Sequence, residues 1–343
     1  MVFRKRYLMG LLACLGALAL LGPVAPAAAQ SPSPFVASSP EAETIRSLMI
    51  AVLWIAVIVF VVVEALLLWA TWRYRARAND ESLPAQVHGN TPLEIAWTAA
   101  PAVVLAIVVV LTIRTMGVVA GVKENAVAEN PLLVKVIAHQ WWWEVQYPEL
   151  DVITAADIHV PVGRPVQFEL TSSDVIHSFW VPELMGKTDS IPGRTNHLQF
   201  TASRPGEYLG LCTEFCGLQH AQMRFRVIAS APETFDAWVA EQQAPVAEVA
   251  TAQAQEGRDA FMSRGCAGCH TINGTGAQGT QGPNLTHFAS RRTIGAGALE
   301  NTPENLARWI RNPQDPKPGA LMPNLNLPEE TIEQLVAYLE SLE

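Results

Sequence analysis

The hydrophobic and polar positions divide the chain into segments of three kinds. Two apolar runs, residues 48–70 and about 95–116, are each long enough to cross the roughly 30 Å hydrocarbon core of a bilayer as a helix. Residues 131–228 change to short alternating runs separated by Pro, Gly and Asp, a pattern typical of an all-β sandwich or barrel. Helical patterns follow from residue 254. The chain is therefore expected to be a membrane-anchored multidomain protein with a two-helix transmembrane hairpin, an all-β domain and an all-α domain.

The first residues resemble a secretion signal. A basic start precedes an apolar stretch and the small-residue sequence A-P-A-A-A-Q, which predicts a signal peptide over residues 1–29. Residues 30–47 are then a Ser/Pro-rich extracytoplasmic spacer. A lipoprotein signal acylated at Cys14 is the alternative, although the apolar run before Cys14 is short and a better cleavage site follows it.

The charges that flank the apolar runs predict the orientation of the hairpin. Arg73, Arg75 and Arg77 directly follow the first run, so the positive-inside rule places the connecting loop in the cytoplasm. The hairpin, residues 48–117, then returns the chain to the outer face of the plasma membrane. Everything after Gly117 is expected to be extracytoplasmic, on the periplasmic side.

The net charge of the chain excludes one class of partner. The formal charge is −9, and from Val118 onward there are 26 Asp or Glu residues against 15 Lys or Arg residues. Nucleic acid is therefore not expected as a partner. An acidic outer surface would instead attract a basic protein and steer its approach.

A twelve-residue segment, Cys212–Met223, concentrates soft metal ligands. It reads C-T-E-F-C-G-L-Q-H-A-Q-M and supplies two thiols, an imidazole and a thioether, which select copper over hard cations. A mononuclear electron-transfer copper needs only one Cys, so the second thiol indicates two bridged coppers; a disulfide is the alternative. The second imidazole can come from His177 in D-V-I-H-S-F-W-V-P.

The motifs H-S-F-W-V-P, K-T-D-S-I-P-G-R and C-x-E-x-C-x-x-x-H-x-x-M resemble subunit II of the haem-copper cytochrome c oxidases. The resemblance implies a cupredoxin fold, a Greek-key β-barrel, over residues 118–230, with a dinuclear copper centre called CuA. The copper ligands that it implies are His177, Cys212, the backbone carbonyl of Glu214, Cys216, His220 and Met223. It also implies that the Glu214 carboxylate helps to bind magnesium at the border with subunit I.

Further roles follow from the same resemblance. Trp141, the first aromatic residue after H-Q, would be the point at which electrons arrive from cytochrome c, with Trp142 and Trp143 used for packing; an interfacial tryptophan belt is the plain alternative. Asp174 would belong to an acidic donor-docking surface. Glu94 would lie at the cytoplasmic mouth of a proton pathway into subunit I, although a carboxylate at a helix start is equally favoured by the helix dipole.

The C-terminal part of the chain carries a haem-attachment motif. Residues 266–270 read C-A-G-C-H, in which Cys266 and Cys269 bind haem c covalently and His270 ligates its iron. A zinc or redox site is the alternative for these cysteines. Met322, in A-L-M-P-N, resembles the second axial ligand of single-haem cytochromes c, with His287 as the competing residue.

The surroundings of this motif complete the domain assignment. Gly282-Pro283-Asn284-Leu285 resembles the loop whose Pro carbonyl, here that of Pro283, orients the proximal His. Residues 254–343 are therefore expected to form a class I cytochrome c domain. A linker over residues 231–253 joins it to the barrel.

The resemblance covers the whole mature chain and implies an electron path. Single electrons would pass from an external donor, a small cytochrome c or a quinol-oxidising complex, to the haem c, to CuA and then to subunit I, where oxygen is reduced with coupled proton translocation. Subunits I and III would be the membrane partners, and no oxygen chemistry would occur on this chain. The linker is expected to act as a mobile tether with an effective concentration on the order of millimolar.

Other function classes share parts of this pattern. A quinol oxidase subunit II would have the hairpin and barrel without the copper ligands, all of which this sequence has. The electron-accepting subunit of a CuA-containing nitric oxide reductase is the main alternative. A free-standing electron carrier would leave the two membrane spans without a purpose.

Overall fold

The computed structural model describes residues 32–75, 86–124, 130–246 and 248–343. The predicted signal peptide, Cys14 and Arg77 lie outside the described residues. The helices are α1 Pro40–Arg73, α2 Thr91–Glu124, α3 Pro232–Gln243, α4 Ala252–Ser263, α5 Pro303–Arg311 and α6 Glu329–Glu340. The strands are β1 Leu132–His139, β2 Trp142–Tyr147, β3 Val152–Ala155, β4 Asp157–Pro161, β5 Val166–Ser172, β6 His177–Trp180, β7 Thr188–Ser190, β8 Asn196–Phe200, β9 Gly206–Cys212, β10 Arg224–Ser230, β11 Thr293–Ile294 and β12 Leu299–Glu300.

The two apolar runs form long helices, α1 and α2, whose spanning segments expose their side chains. Helix α1 begins eight residues before the predicted apolar run because Ser39 caps it: its hydroxyl accepts a hydrogen bond from Ala42 N at 2.9 Å, and Pro40 occupies the first turn. Helix α2 continues through Pro101. The helices contact each other, and their apolar outer surfaces suit contact with lipid or with other membrane helices.

The start of α1 is fixed to the β domain, which comprises residues 130–243. Ser38 N donates to Glu183 O at 2.7 Å, and the Ser39 hydroxyl donates to Leu184 O at 2.5 Å. Ser203 N donates to Ser38 O at 2.8 Å. These bonds tie the beginning of the membrane hairpin to two loops of the β domain.

The β domain consists of two five-stranded sheets, in the orders β3-β2-β1-β5-β8 and β4-β10-β9-β6-β7. Alternation predicts the buried faces correctly, since β1 and β5 bury every second residue. The core between the sheets is aromatic: Trp143 contacts Phe179 and Phe225 edge to face, with ring centroids 5.5 Å and 5.3 Å apart. The expected all-β domain is confirmed.

Helix α3 occupies the first half of the segment that was expected to be a linker. Its Phe235 and Trp238 belong to the core of the β domain, and Trp238 stacks on His159 with ring centroids 4.2 Å apart. The extended part of the connection is therefore confined to the residues between α3 and α4.

The helical domain, residues 252–343, packs α4 against α6. The two helices cross so closely at Gly257 that a Cβ atom there would overlap Gln334 O, and Phe261 contacts Tyr338 beside the crossing with ring centroids 5.8 Å apart. The two-residue strands β11 and β12 interrupt the otherwise helical pattern. A cavity of about 330 Å³ lies within this domain and opens toward the β domain.

Candidate metal centres

The copper-type ligands lie at the ends of neighbouring strands. His177 begins β6, Cys212 ends β9, and Met223 immediately precedes β10. Cross-strand pairing brings them together, because β9 pairs with both β6 and β10 and Cys212 N donates to Met223 O at 3.0 Å. A single 3-10 turn, His220–Gln222, directs the second imidazole back toward the thiols. The sheet therefore fixes the relative positions of donor residues that lie up to 46 positions apart in the sequence.

The donor atoms form a symmetric cluster in which each thiol faces the other thiol and one imidazole. The distances are 3.7 Å for Cys212 Sγ to Cys216 Sγ, 3.9 Å for Cys212 Sγ to His177 Nδ1, 3.8 Å for Cys216 Sγ to His220 Nδ1, 3.9 Å for Cys216 Sγ to Met223 Sδ and 3.3 Å for Cys212 Sγ to Glu214 O. A disulfide would hold the sulfur atoms about 2.05 Å apart. The thiols are unbonded, and one thioether and one carbonyl oxygen complete the set.

This cluster fits a dinuclear copper site. The donors are soft, each thiol has its own imidazole, and the Met223 thioether and the Glu214 carbonyl contact different thiols, so these residues would provide separate ligands for two copper ions. His177, Cys212, Cys216 and Met223 are buried, so the site excludes most water.

The two thiols share a proton unevenly. The pKa of Cys212 is lowered because the Cys216 thiol donates to its sulfur, and the pKa of Cys216 is raised because it keeps that proton beside the Cys212 thiolate. A pair of copper ions would replace the shared proton.

Asp174 orients the first imidazole. The Nε2–H of His177 donates to Asp174 Oδ1 at 2.8 Å, which leaves Nδ1 directed at Cys212. Asp174 Oδ2 accepts Gln140 N at 2.6 Å, and Gln140 Nε2 donates to Cys216 O at 2.7 Å. Sequence reasoning assigned Asp174 to a donor-docking surface and missed this contact, which the three-residue spacing to His177 could have indicated.

Trp141 is in direct contact with the copper loop. Its indole Nε1–H donates to Cys216 O at 2.9 Å. Gly217 has a φ of +113° and lies so close that a Cβ atom there would be 3.1 Å from the Trp141 ring. The indole ring is thus in contact with the loop that carries both thiols. Trp143, by contrast, is fully buried in the core and Trp142 stacks on His139.

The cavity of the helical domain carries the haem-type ligands. Cys266, Cys269 and His270 line it, and so does Met322. The His270 Nδ1–H donates to Pro283 O at 2.9 Å, which directs Nε2 into the cavity, and burial lowers the pKa of this imidazole. The competing residue His287 lies elsewhere: its Nδ1–H donates to Glu343 O at 2.6 Å, and it is not part of the cavity wall.

The remaining wall of the cavity also fits a haem. Most of it is apolar, and Gly282 packs against the His270 ring, where a Cβ atom would clash. Arg291 is one of the polar residues in the wall: the residue is half-buried, and its buried Nε has no partner among the described residues. Burial lowers its pKa to about 10. A buried, incompletely bonded guanidinium suits an anionic group such as a haem carboxylate, and sequence reasoning did not single it out.

The predicted site residue Glu94 and the carboxylate of Glu214 lie outside both clusters. Glu94 is in the first turn of α2, where its carboxylate accepts Asn90 N at 3.1 Å while Asn90 Oδ1 accepts Leu93 N at 3.2 Å. This geometry matches the helix-start alternative. The Glu214 side chain is exposed beside the copper loop. The magnesium and proton-pathway roles stay predictions.

The chain matches three protein-family models. Residues 34–115 match the transmembrane domain of cytochrome c oxidase subunit II, residues 151–230 match its periplasmic domain, and residues 254–343 match cytochrome c. The predicted hairpin, cupredoxin-like domain and cytochrome c domain are thereby confirmed.

Curated relatives agree with these matches. Cytochrome c oxidase subunit 2 of Alkalihalophilus pseudofirmus is 42% identical over 305 residues, with 88% of each chain covered. The same subunit of Bacillus sp. PS3 is 37% identical, covering 78% of this chain and 79% of that protein. A solved periplasmic domain of cytochrome oxidase subunit II from Bradyrhizobium japonicum is 30% identical with a TM-score of 0.32, covering 33% of this chain and 93% of that one. The chain therefore belongs to the cytochrome c oxidase subunit II family and carries a fused C-terminal cytochrome c domain.

Proposed function

We propose that this chain passes single electrons from a haem c in its helical domain to a dinuclear copper centre in its β domain and on to subunit I. Copper would be held by His177, Cys212, the Glu214 carbonyl, Cys216, His220 and Met223; haem would be attached at Cys266 and Cys269, with His270 and Met322 as the residues that would bind its iron. Copper and haem iron supply reversible one-electron chemistry there. The chain's own residues set ligand geometry, exclude water and bring the two sites together.

The observation that carries this proposal is the position of Trp141 between the two sites. Its indole donates to Cys216 O in the copper loop, and the same residue forms part of the wall of the haem-type cavity. Trp142, Ala155 and Ala156 of the β domain complete that wall. A path through the Trp141 ring, one hydrogen bond to Cys216 O and the covalent bonds of Cys216 therefore leads from the cavity to the Cys216 thiol.

The family assignment supports the wider context of this transfer. Subunit I is the membrane partner, and oxygen reduction with coupled proton translocation takes place there, with no oxygen chemistry on this chain. Subunit III, a periplasmic orientation of both soluble domains, magnesium at Glu214 and a proton-pathway role of Glu94 belong to the same proposal. The acidic soluble part of the chain supports a basic external donor, such as a small cytochrome c.

A rapid-reduction experiment on the purified oxidase tests this proposal. A light-activated ruthenium dye injects one electron into the haem, and absorbance follows the haem and the near-infrared copper band. The expected result is haem reduction followed by first-order copper reduction at a rate independent of protein concentration. Copper reduction that bypasses a permanently oxidised haem would contradict the proposed order.

A further inference from the structure

The segment that leads to Met322 also contacts the β domain. Lys317, five residues before Met322, donates through Nζ to Trp141 O at 3.0 Å and to Gly295 O at 2.8 Å. Gly319, with a φ of +92°, lies against Leu218 of the copper loop. One short segment of the helical domain thus touches the Trp141 backbone and the copper loop, and it ends at a haem ligand.

The environment of Lys317 is unusual for a lysine. The side chain is only 3% exposed, and no carboxylate among the described residues pairs with it. Lysines are almost never fully buried without a partner, because removing the ammonium from water is unfavourable. Its two acceptors are backbone carbonyls, one from each domain. This arrangement makes the lysine a cross-link between the domains rather than part of either core.

A second set of contacts joins the same two domains. The buried carboxylate of Asp157, at the start of β4, accepts Arg292 N at 2.7 Å. Close by, Arg224 N donates to Ala296 O at 3.1 Å. The contacts at Lys317 and at Asp157 therefore both hold the helical domain against the β domain. This geometry differs from that of a freely moving tethered domain.

We propose that Lys317 is a positioning residue for electron transfer, which holds the helical domain docked with its haem cavity against Trp141. This inference rests on the proposed function and adds to it that transfer takes place within a fixed complex, without a diffusional search by the tethered domain. Asp157 provides the second anchor of the docked state.

The test uses the purified oxidase with full-length Lys317→Met, which keeps the aliphatic stem and removes the donors. The matched control is Lys187→Met, because Lys187 is an exposed lysine of the β domain. Transfer from haem to copper is measured after light-activated reduction, in buffers of increasing viscosity. Haem and copper contents and the absorption band of the methionine-ligated haem are recorded for each variant.

We expect transfer in the wild type and in Lys187→Met to be independent of viscosity. In Lys317→Met the rate should fall roughly tenfold or more, since a displacement of about 1 Å in a positioned site has large effects on rate, and it should become viscosity dependent. The methionine band and cofactor contents should stay unchanged. A purely structural role would not produce the viscosity dependence.

Other outcomes separate the two proposals. An unchanged, viscosity-independent rate in a fully loaded Lys317→Met overturns the positioning role, and so does slowing that accompanies loss of the methionine band. If Lys317→Met fails to retain its cofactors, the same transfer rate is measured in Asp157→Ala. Viscosity-dependent slowing of transfer in that variant supports the docked state, and an unchanged rate overturns it. Absence of haem-to-copper transfer in the wild type would instead contradict the proposed function.

Discussion

The two metal sites of this chain are built in opposite ways. In the β domain the donor atoms lie within 4 Å of their neighbours, because strand pairing and the Asp174 and Gln140 hydrogen bonds hold them there. In the helical domain the ligands line a cavity whose interior the polypeptide does not fill. The comparison indicates that the copper-type site is preformed by the sheet, whereas a haem in the cavity would become part of the core of the helical domain. Removing ligands or cofactor should therefore affect the two domains differently.

The largest expected effect comes from Cys216→Ser. A serine oxygen is a hard ligand and cannot bridge two coppers as a thiolate does, so the near-infrared copper band should disappear completely. The β domain should stay folded because its core does not depend on the metal. The measurement is copper content and near-infrared absorbance, with haem c content as the internal control. A variant that kept the full band would contradict the bridging role.

Loss of haem attachment should destabilise the helical domain, whereas loss of copper should leave the β domain folded. In the double substitution Cys266→Ser and Cys269→Ser, the cavity lacks the covalently attached haem that would fill it. Cavities of this size are strongly destabilising. We expect rapid proteolysis of residues 252–343 and retention of the copper band. Limited proteolysis followed by mass spectrometry checks this. Equal resistance of the two domains would show that the helical domain does not need haem.

A smaller effect is expected at the helix crossing. In Gly257→Ala the new methyl group would overlap Gln334 O, and overpacking of this kind lowers the free energy of unfolding by about 1–3 kcal/mol. Thermal unfolding followed by the haem absorbance should shift to lower temperature, while the copper signal stays unchanged. Gln253→Ala, at an exposed position of the same helix, is the control. Equal stability of both variants would mean that the two helices can move apart enough to accommodate the methyl group.

The smallest expected effect is a dependence of the stability of the β domain on pH. Burial against Trp238, together with the nearby positive charge of Arg292, lowers the pKa of His159 to about 4. As pH falls below about 6.5 the unfolded chain binds a proton before the folded chain does, so stability is lost between these two values. The His159 contribution is a loss of about 1 kcal/mol from pH 6.5 to pH 5.5. Urea unfolding followed by tryptophan fluorescence should show this slope, and His159→Phe should reduce it.

The sequence predicts local features of this molecule well and distant contacts poorly. The length of the apolar runs predicts the two membrane helices, and the alternation of apolar and polar residues predicts most strands. Closely spaced ligands such as Cys212 and Cys216 can be recognised as a motif. Strand β7 has only three residues and too little pattern to be recognised. The contact between Lys317 and Trp141 joins residues 176 positions apart and depends on how two domains pack, for which a single sequence carries no periodic signal.

The same distinction applies within each site. The spacing of Cys266, Cys269 and His270 is fixed by haem chemistry and is visible in the sequence. The unpaired Nε of Arg291 becomes meaningful only once the fold buries it in the cavity wall. Residues that bind a cofactor directly are thus easier to predict than residues that complete its environment.

Electron paramagnetic resonance of the oxidised, purified complex tests the central assignment most directly. If the thiols at positions 212 and 216 bridge two coppers, one unpaired electron is shared by both ions, and the spectrum should show hyperfine splitting from two equivalent copper nuclei with two coppers per chain at this site. Splitting from a single copper nucleus, or a site with one metal ion per chain, would contradict the account.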